Sequence, residues 1–201
     1  MKRGNTDPNL FAIQQLVIEL ALIDRNHYLA NHERRENDIE HSFAVTMLCW
    51  YVYDKLEPTL SLEKILQYAL AHDFVEKYAG DTNTFATNEE RDKKIVREHE
   101  ALDQLCQDFS SFSGLVNAMR AYEDKSDDES LFVWTVDKMQ ALIMGDLDNW
   151  RPYQELYISY DDFVKKYSEL LTISSPYAKD IFSILIEYCK TTFYDQPPVS
   201  T

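Results

Sequence analysis

Apolar residues recur at helical spacing along nearly the whole chain, and this periodicity is the feature that most constrains the fold. Glycine occurs only 4 times in 201 residues. Alternating apolar and polar segments flanked by the Asn-Gly or Gly-Asn turns of hairpins are absent from the sequence. The sequence therefore predicts an all-α fold, a single helical bundle of about seven to nine helices.

The boundaries of the predicted helices follow from the periodicity and from local start and stop signals. Asp7-Pro8 is typical of a helix start, Pro58 ends the second helix, and a polar connection covers 26–37. Thr87 with Glu90, and Ser126 with Glu129, form capping-box signatures. The second helix carries a stripe of large apolar residues: Phe43, Met47, Trp50 and Tyr51. The predicted helices cover about residues 8–25, 39–56, 62–72, 73–78, 88–108, 112–124, 128–146, 160–171 and 176–193.

Composition and charge exclude several classes of function. The net charge of −15 would repel DNA or RNA, so a nucleic-acid polymer is not expected as a partner, whereas a small phosphorylated substrate fits if its pocket is positive. No apolar stretch approaches the ~20 residues that span a bilayer, and the N-terminus shows no signal peptide. Three cysteines at unrelated spacings suit a reducing compartment, so we expect a cytoplasmic protein without membrane contact.

Four metal-capable residues stand out: His41, the adjacent pair His72-Asp73, and Asp137. Neighbours on a continuous α-helix point about 100° apart, so His72 and Asp73 can reach one ion only near a helix end. Asp137 lies within an apolar run, where an unpartnered carboxylate is costly; a salt bridge to a core arginine is the alternative to a cation. Together the four residues make a plausible nitrogen and oxygen site for a divalent metal.

Further ionisable residues surround this set. Glu76 is four residues after His72 and shares its face if the helix continues, and Asp81 follows Gly80 in a predicted loop. Either could position water or transfer a proton, although a solvated helix residue and a turn residue are the alternatives. The remaining histidines are expected to be exposed: His27, His32 and His99.

Three arginines precede His41 in the polar connection, Arg25, Arg34 and Arg35. The planar guanidinium suits phosphate because it donates to two oxygens at once. One of the three could instead pair structurally with Glu36 or Glu40.

The contexts of these residues resemble a known family. Residues 34–42 (RRENDIEHS), 72–81 (HDFVEKYAGD) and 136–140 (VDKMQ) are similar to three blocks of the HD superfamily of metal-dependent phosphohydrolases, in the subfamily that includes bacterial 5′-deoxynucleotidases. The resemblance implies metal ligation by His41, His72, Asp73 and Asp137. It implies catalytic roles for Glu76 and Asp81, and phosphate contacts from Arg25 and Arg35.

The resemblance also implies a domain organisation and a cofactor. We expect a single HD domain over 1–195, with the motifs in about 20–145, a helical C-terminal extension over about 150–195, and a disordered tail over 196–201. Only His99 lies between the His-Asp pair and the last aspartate, which favours one divalent ion, either Mn, Co, Fe, Ni, Zn or Mg.

The function expected from these observations is release of phosphate from nucleoside 5′-monophosphates or similar small metabolites. Three alternatives stay open: a metal-containing nucleotide sensor without catalysis, a nucleoside di- or triphosphate hydrolase, and a structural helical protein with an accidental motif. Aromatic residues that look exposed leave room for a homodimer: Tyr153, Tyr157 and Tyr160.

Overall fold

The computed structural model describes residues 8–29, 33–80, 85 and 88–193. Ten helices lie in this part of the chain, and eight of them have ten residues or more, so the predicted all-α bundle is confirmed. The helices are α1 (Pro8–Leu20), α2 (Asp38–Leu56), α3 (Leu62–Ala71), α4 (Glu76–Ala79), α5 (Asn88–Asp108), α6 (Ser113–Glu123), α7 (Asp128–Leu147), α8 (Arg151–Glu155), α9 (Tyr160–Thr172) and α10 (Lys179–Thr192).

The polar connection contains a small sheet that the sequence did not predict. Strands β1 (Asp24–Tyr28) and β2 (Arg35–Asn37) pair antiparallel, with Asp24 opposite Asn37. The first helix ends at Leu20 instead of near residue 25, so Arg25 lies in β1. The sheet thereby fixes the backbone of the segment that leads into α2.

Helix ends explain why some predicted boundaries hold and others shift. The α7 capping box uses Asp127 and Ser130 instead of Ser126 and Glu129, because the Asp127 carboxylate accepts the Ser130 backbone N–H at 2.9 Å. Thr87 lies outside the described residues. The short helix expected from Asp73 begins only at Glu76, after a turn.

Helix α7 packs against α2, α3, α6 and α10 and carries much of the core. Phe132, Val136 and Leu142 are fully buried and pack with residues of α2, α3, α9 and α10. A second cluster joins α1, α5 and α6 around Leu105 and Met119. Because α2, α3 and α7 pack against one another, their polar side chains meet at one end of the main core.

The expectation that Tyr153 is exposed was wrong, and the structure also shows which face of α2 meets solvent. The predicted stripe on α2 (Phe43, Met47, Trp50 and Tyr51) exists but faces solvent, because the opposite face of the helix supplies the core contacts through Val45, Cys49 and Val52. Tyr153 is buried in an aromatic cluster, whereas Tyr157 and Tyr160 are exposed. Within the described residues, no helix is both long and apolar enough to cross a bilayer.

Candidate metal centre

The start of α2 holds His41 in a fixed position. The Asn37 side-chain oxygen accepts the backbone N–H groups of Ile39 and Glu40, and the Glu40 carboxylate accepts the Asn37 N–H, which completes a capping box. His41 lies directly after this cap, and its side chain is buried. A histidine at a well-capped helix start is held with little freedom of the backbone.

The His72-Asp73 pair lies where α3 ends, as the geometry of adjacent residues requires. Helix α3 stops at Ala71, and 72–75 form a turn. His72 Nδ1 lies 2.9 Å from the carbonyl oxygen of Ala69, which can only accept, so Nδ1 carries the proton and donates. In the neutral ring His72 Nε2 is then the nitrogen with a free lone pair, and it faces His41 and Asp73.

The structure brings together all four residues that the sequence singled out. His41 Nε2 lies 3.1 Å from Asp137 Oδ1, 3.3 Å from Asp73 Oδ2 and 3.2 Å from His72 Nε2. His72 Nε2 lies 3.2 Å from Asp73 Oδ2. His41, His72 and Asp73 form a tight group of donor atoms, and Asp137 joins it through its contact with His41. Two imidazoles and two carboxylates from α2, α7 and the turn after α3 thus converge on one point.

The charges at this point are balanced in a way that suits a cation. Burial would raise the pKa of Asp137, but Lys138 and His41 outweigh it and hold that pKa well below the usual range. Burial and the Arg25 charge would lower the pKa of His41, but Asp137, Glu36 and Asp73 raise it to about 9. A proton on His41 therefore offsets the carboxylates, and a divalent ion could take over that role. The donor set fits such an ion, since imidazole nitrogen and carboxylate oxygen are what borderline divalent metals bind.

Behind His41 lies a buried carboxylate that was not predicted to belong to the site. Glu36 Oε2 lies 3.5 Å from His41 Nδ1, and Glu36 Oε1 accepts from Gln140 Nε2 at 3.0 Å. All three side chains are buried. A carboxylate on the far nitrogen of a histidine orients the ring and selects its tautomer. The only signal in the sequence was the presence of Glu36 and Gln140 within the motif blocks.

Arg25 lies among carboxylates at the edge of the group. Its Nη1 lies 2.5 Å from Asp73 Oδ2, 3.2 Å from Asp38 Oδ1 and 3.7 Å from Glu76 Oε2. Asp38, Asp73 and Glu76 also form a second close group of carboxylate oxygens. Arg25 and Glu76 therefore both lie beside Asp73.

Arg35 and Arg34 lie in different surroundings. Arg35 donates to the carbonyl oxygen of Asn26 at 2.7 Å, and its guanidinium carbon lies 4.6 Å from the centroid of the Tyr28 ring. It does not line the cavity that contains the site, so this geometry gives its predicted phosphate contact no support. Arg34 pairs with Glu40, one of the two structural partners considered from the sequence. Asp81, the other predicted catalytic residue, lies outside the described residues.

A cavity of about 270 Å³ is lined by three of the four residues, His41, Asp73 and Asp137, and His72 contacts His41 and Asp73 without lining it. Among the described residues that line it, four are cationic (Arg25, Lys94, Lys138 and Lys166) and three are carboxylates (Asp73, Glu76 and Asp137). The cavity is therefore more positive than the surface of this acidic chain. The lining also includes apolar side chains: Phe85, Trp134, Pro152, Tyr153, Leu156 and Leu170. His27 also lines the cavity and is partly buried, so its expected exposure was wrong, while His99 is exposed as predicted and His32 lies outside the described residues.

Comparisons with known proteins agree with this architecture. A crystal structure of a predicted metal-dependent phosphohydrolase from Magnetospirillum magnetotacticum MS-1 is similar in fold, with a TM-score of 0.75, 21% sequence identity, and coverage of 95% of this chain and 100% of that chain. No curated protein matches the chain significantly in sequence. The HD domain family matches residues 19–177, which is most of the chain and contains every one of the four converging residues. The chain belongs to the HD domain family.

Proposed function

We propose that this protein is a metal-dependent phosphohydrolase, and that it releases phosphate from nucleoside 5′-monophosphates or similar small phosphorylated metabolites. The observation that carries the proposal is the convergence of His41, His72, Asp73 and Asp137 at the end of an open cavity. The similar fold of a protein described as a predicted metal-dependent phosphohydrolase supports the same class of reaction.

These four side chains would hold one divalent ion. Their nitrogen and oxygen ligand atoms suit Mn, Co, Fe, Ni or Zn, and Mg is a further candidate. When bound, such an ion supplies Lewis-acid activation of a water and offsets charge on the phosphoryl oxygens. His41 must lose its proton to serve as a ligand, so the carboxylates that now stabilise its charge become available to the ion.

The surrounding residues would handle protons and substrate charge. Glu76 is buried beside Asp73 and Arg25, and there it would accept a proton from the attacking water. Asp81 is proposed for the same task or for a sugar contact, from its place in the motif. Arg25 would donate to the phosphate, with Arg35 as a weaker candidate because it is held by Tyr28 and Asn26.

The charge of the cavity supports a small anionic substrate. Its cationic side chains outnumber its carboxylates by four to three, although the whole chain carries −15. Fixed positive groups around a phosphate are often the largest contribution to catalysis of phosphoryl transfer. A nucleic-acid polymer would have to lie along the acidic surface outside the cavity, which disfavours it.

The most specific part of the proposal is that the substrate is a nucleoside 5′-monophosphate. It is supported by the likeness of residues 34–42, 72–81 and 136–140 to the blocks of bacterial 5′-deoxynucleotidases. A di- or triphosphate hydrolase would release a different product from the same metal site, and a sensor would bind nucleotide without turnover. Buried free thiols at Cys49, Cys106 and Cys189 support our proposal of a cytoplasmic location.

A panel assay tests the proposed function. Metal-stripped protein is incubated with each divalent ion and a set of nucleoside mono-, di- and triphosphates and sugar phosphates, and the products are resolved by mass. We expect inorganic phosphate from monophosphates. Absence of turnover in protein shown to hold metal would refute the proposed enzymatic activity. Release of pyrophosphate would instead establish a nucleoside triphosphate hydrolase.

We also propose that the protein forms a homodimer through the exposed stripe on α2. The four side chains, Phe43, Met47, Trp50 and Tyr51, are between 47% and 63% exposed, which leaves roughly 450 Å² of apolar surface by the usual size of such side chains. A standard interface buries about 800 Å² per partner, and its apolar part is of similar size. Light scattering should give a dimer for the native protein and for Tyr157→Lys, but a monomer for Trp50→Glu; a native monomer at high concentration would refute the proposal.

A further inference from the structure

Lys94 reaches the cavity from α5, a helix for which no site residue was predicted. Its side chain is 27% exposed and lines the cavity together with Arg25, Asp73 and Glu76. Its neighbour Lys93 points away from the site, is 64% exposed and pairs with Glu89 at 2.6 Å. The two lysines therefore have the same chemistry on the same helix but opposite surroundings.

The ammonium group of Lys94 forms an ion pair with Glu98 and interacts electrostatically with Glu76 and Asp73. Lys94 Nζ lies 3.2 Å from Glu98 Oε1, one helical turn further along α5. Burial would lower the pKa of Lys94, but the charges of Glu98, Glu76 and Asp73 outweigh burial and raise it. The group is thus a fixed positive charge near the Asp73 and Glu76 carboxylates.

The other cations that line the cavity near the metal residues are already engaged. The Arg25 guanidinium faces three carboxylates, those of Asp38, Asp73 and Glu76. Lys138 Nζ lies 2.7 Å from Asp137 Oδ2. A doubly negative phosphate entering the cavity would therefore be stabilised by a further cation. Lys94 is such a cation, and its partner Glu98 lies on the same helix, away from the four converging residues.

We propose that Lys94 is a second phosphate-binding residue of the site, acting with Arg25 on the phosphate of a monoester substrate. This inference rests on the proposed function and adds a residue to it. The flexible lysine stem allows the ammonium to follow the phosphate as a point charge, while Arg25 supplies a planar donor pair. Glu98 serves as a positioning residue that keeps the Lys94 side chain turned toward the cavity.

The test compares Lys94→Met, Lys94→Arg and the matched control Lys93→Met in the full-length, metal-loaded protein. Steady-state kinetics give kcat and KM for the best monophosphate, and inhibition gives the constant for inorganic phosphate. We expect Lys94→Met to lower kcat/KM and to weaken inhibition by phosphate, each by about tenfold or more, because a charge-assisted hydrogen bond is lost. Lys94→Arg should retain most of both, and Lys93→Met should stay within about twofold of the native protein.

Two results would overturn the role of Lys94. One is a Lys94→Met protein with native metal content and melting temperature whose kinetics and phosphate inhibition are unchanged. The other is an equal loss in Lys93→Met, since the effect would then come from overall charge. If Lys94→Met fails to fold, Lys94→Gln replaces it and is judged by the same values.

A failure of the proposed function can be distinguished from a failure of the Lys94 proposal. If the native protein hydrolyses no phosphomonoester, calorimetric titration with inorganic phosphate still measures binding at the site. Weaker binding by Lys94→Met than by Lys93→Met would then support the role of Lys94, while equal binding, or no binding by the native protein, would overturn it.

Discussion

The carboxylate behind His41 offers the sharpest test of how the site is organised. Glu36 holds the imidazole from its far side at 3.5 Å and is itself held by the Gln140 amide at 3.0 Å. Substitution Glu36→Gln keeps the volume and still offers an oxygen to Gln140, so the change falls mainly on the contact with His41. The carboxylate charge that favours one orientation of the ring is lost.

The expected effect is on metal affinity. Removing such an orienting group from a metal-binding histidine weakens binding by about 10- to 100-fold, which corresponds to roughly 1.4 to 2.7 kcal/mol. Both side chains are buried, so solvent cannot replace the contact. Calorimetric titration of metal-stripped protein with Mn²⁺ or Co²⁺ measures the dissociation constant directly.

A matched control separates this effect from a general loss of negative charge. Glu33→Gln removes the same charge from a fully exposed side chain near the start of β2, and we expect an unchanged dissociation constant. If Glu36→Gln binds metal within about twofold of the native protein and folds normally, the reasoning that Glu36 orients His41 is wrong.

Two further predictions concern stability. Burial, aided by the charge of Glu98, raises the pKa of Glu123 from its ordinary 4.5 to about 7. The protonated Glu123 side chain therefore contributes up to about 3 kcal/mol to the free energy of unfolding. This contribution is full below pH 4.5 and is lost as the pH rises through 7. Glu123→Gln should therefore be more stable than the native protein at pH 8 but not at pH 4.5, whereas the exposed control Asp124→Asn should change stability at neither pH. Denaturant titrations at the two pH values measure this. The same stability difference between Glu123→Gln and the native protein at both pH values would contradict the prediction. A Cβ atom at Gly145 would lie 2.9 Å from ring carbons of Trp150, so Gly145→Ala should destabilise the fold by about 1–3 kcal/mol, and an unchanged melting temperature would show that α7 and α8 can separate freely.

Local signals in the sequence predicted the long helices well. The predicted range of α5 coincides with the observed Asn88–Asp108, and α2 begins one residue earlier than predicted, because apolar periodicity and caps are encoded within each segment. The hairpin of β1 and β2 was missed because its strands are short, polar and without alternation. Its pairing depends on contacts such as the Arg35 guanidinium over the Tyr28 ring, which join residues on opposite strands.

The site divides in the same way between local and long-range information. The four converging residues were found because the motif blocks name them, although their meeting depends on how α2, α3 and α7 pack. Lys94 could not be told apart from Lys93 in the sequence, since only the packing of α5 decides which lysine faces the cavity. The burial of Tyr153 likewise results from an aromatic cluster that spans α8, α9 and the end of α10.

The central claim is that His41, His72, Asp73 and Asp137 hold one divalent ion together. Elemental analysis of protein reconstituted with Mn²⁺ and freed of excess metal by gel filtration measures this most directly. The account predicts one equivalent per chain in the native protein and a large loss in Asp137→Asn and in His72→Ala, with both variants folded. Retention of a full equivalent by either variant, or no bound metal in the native protein, would contradict it.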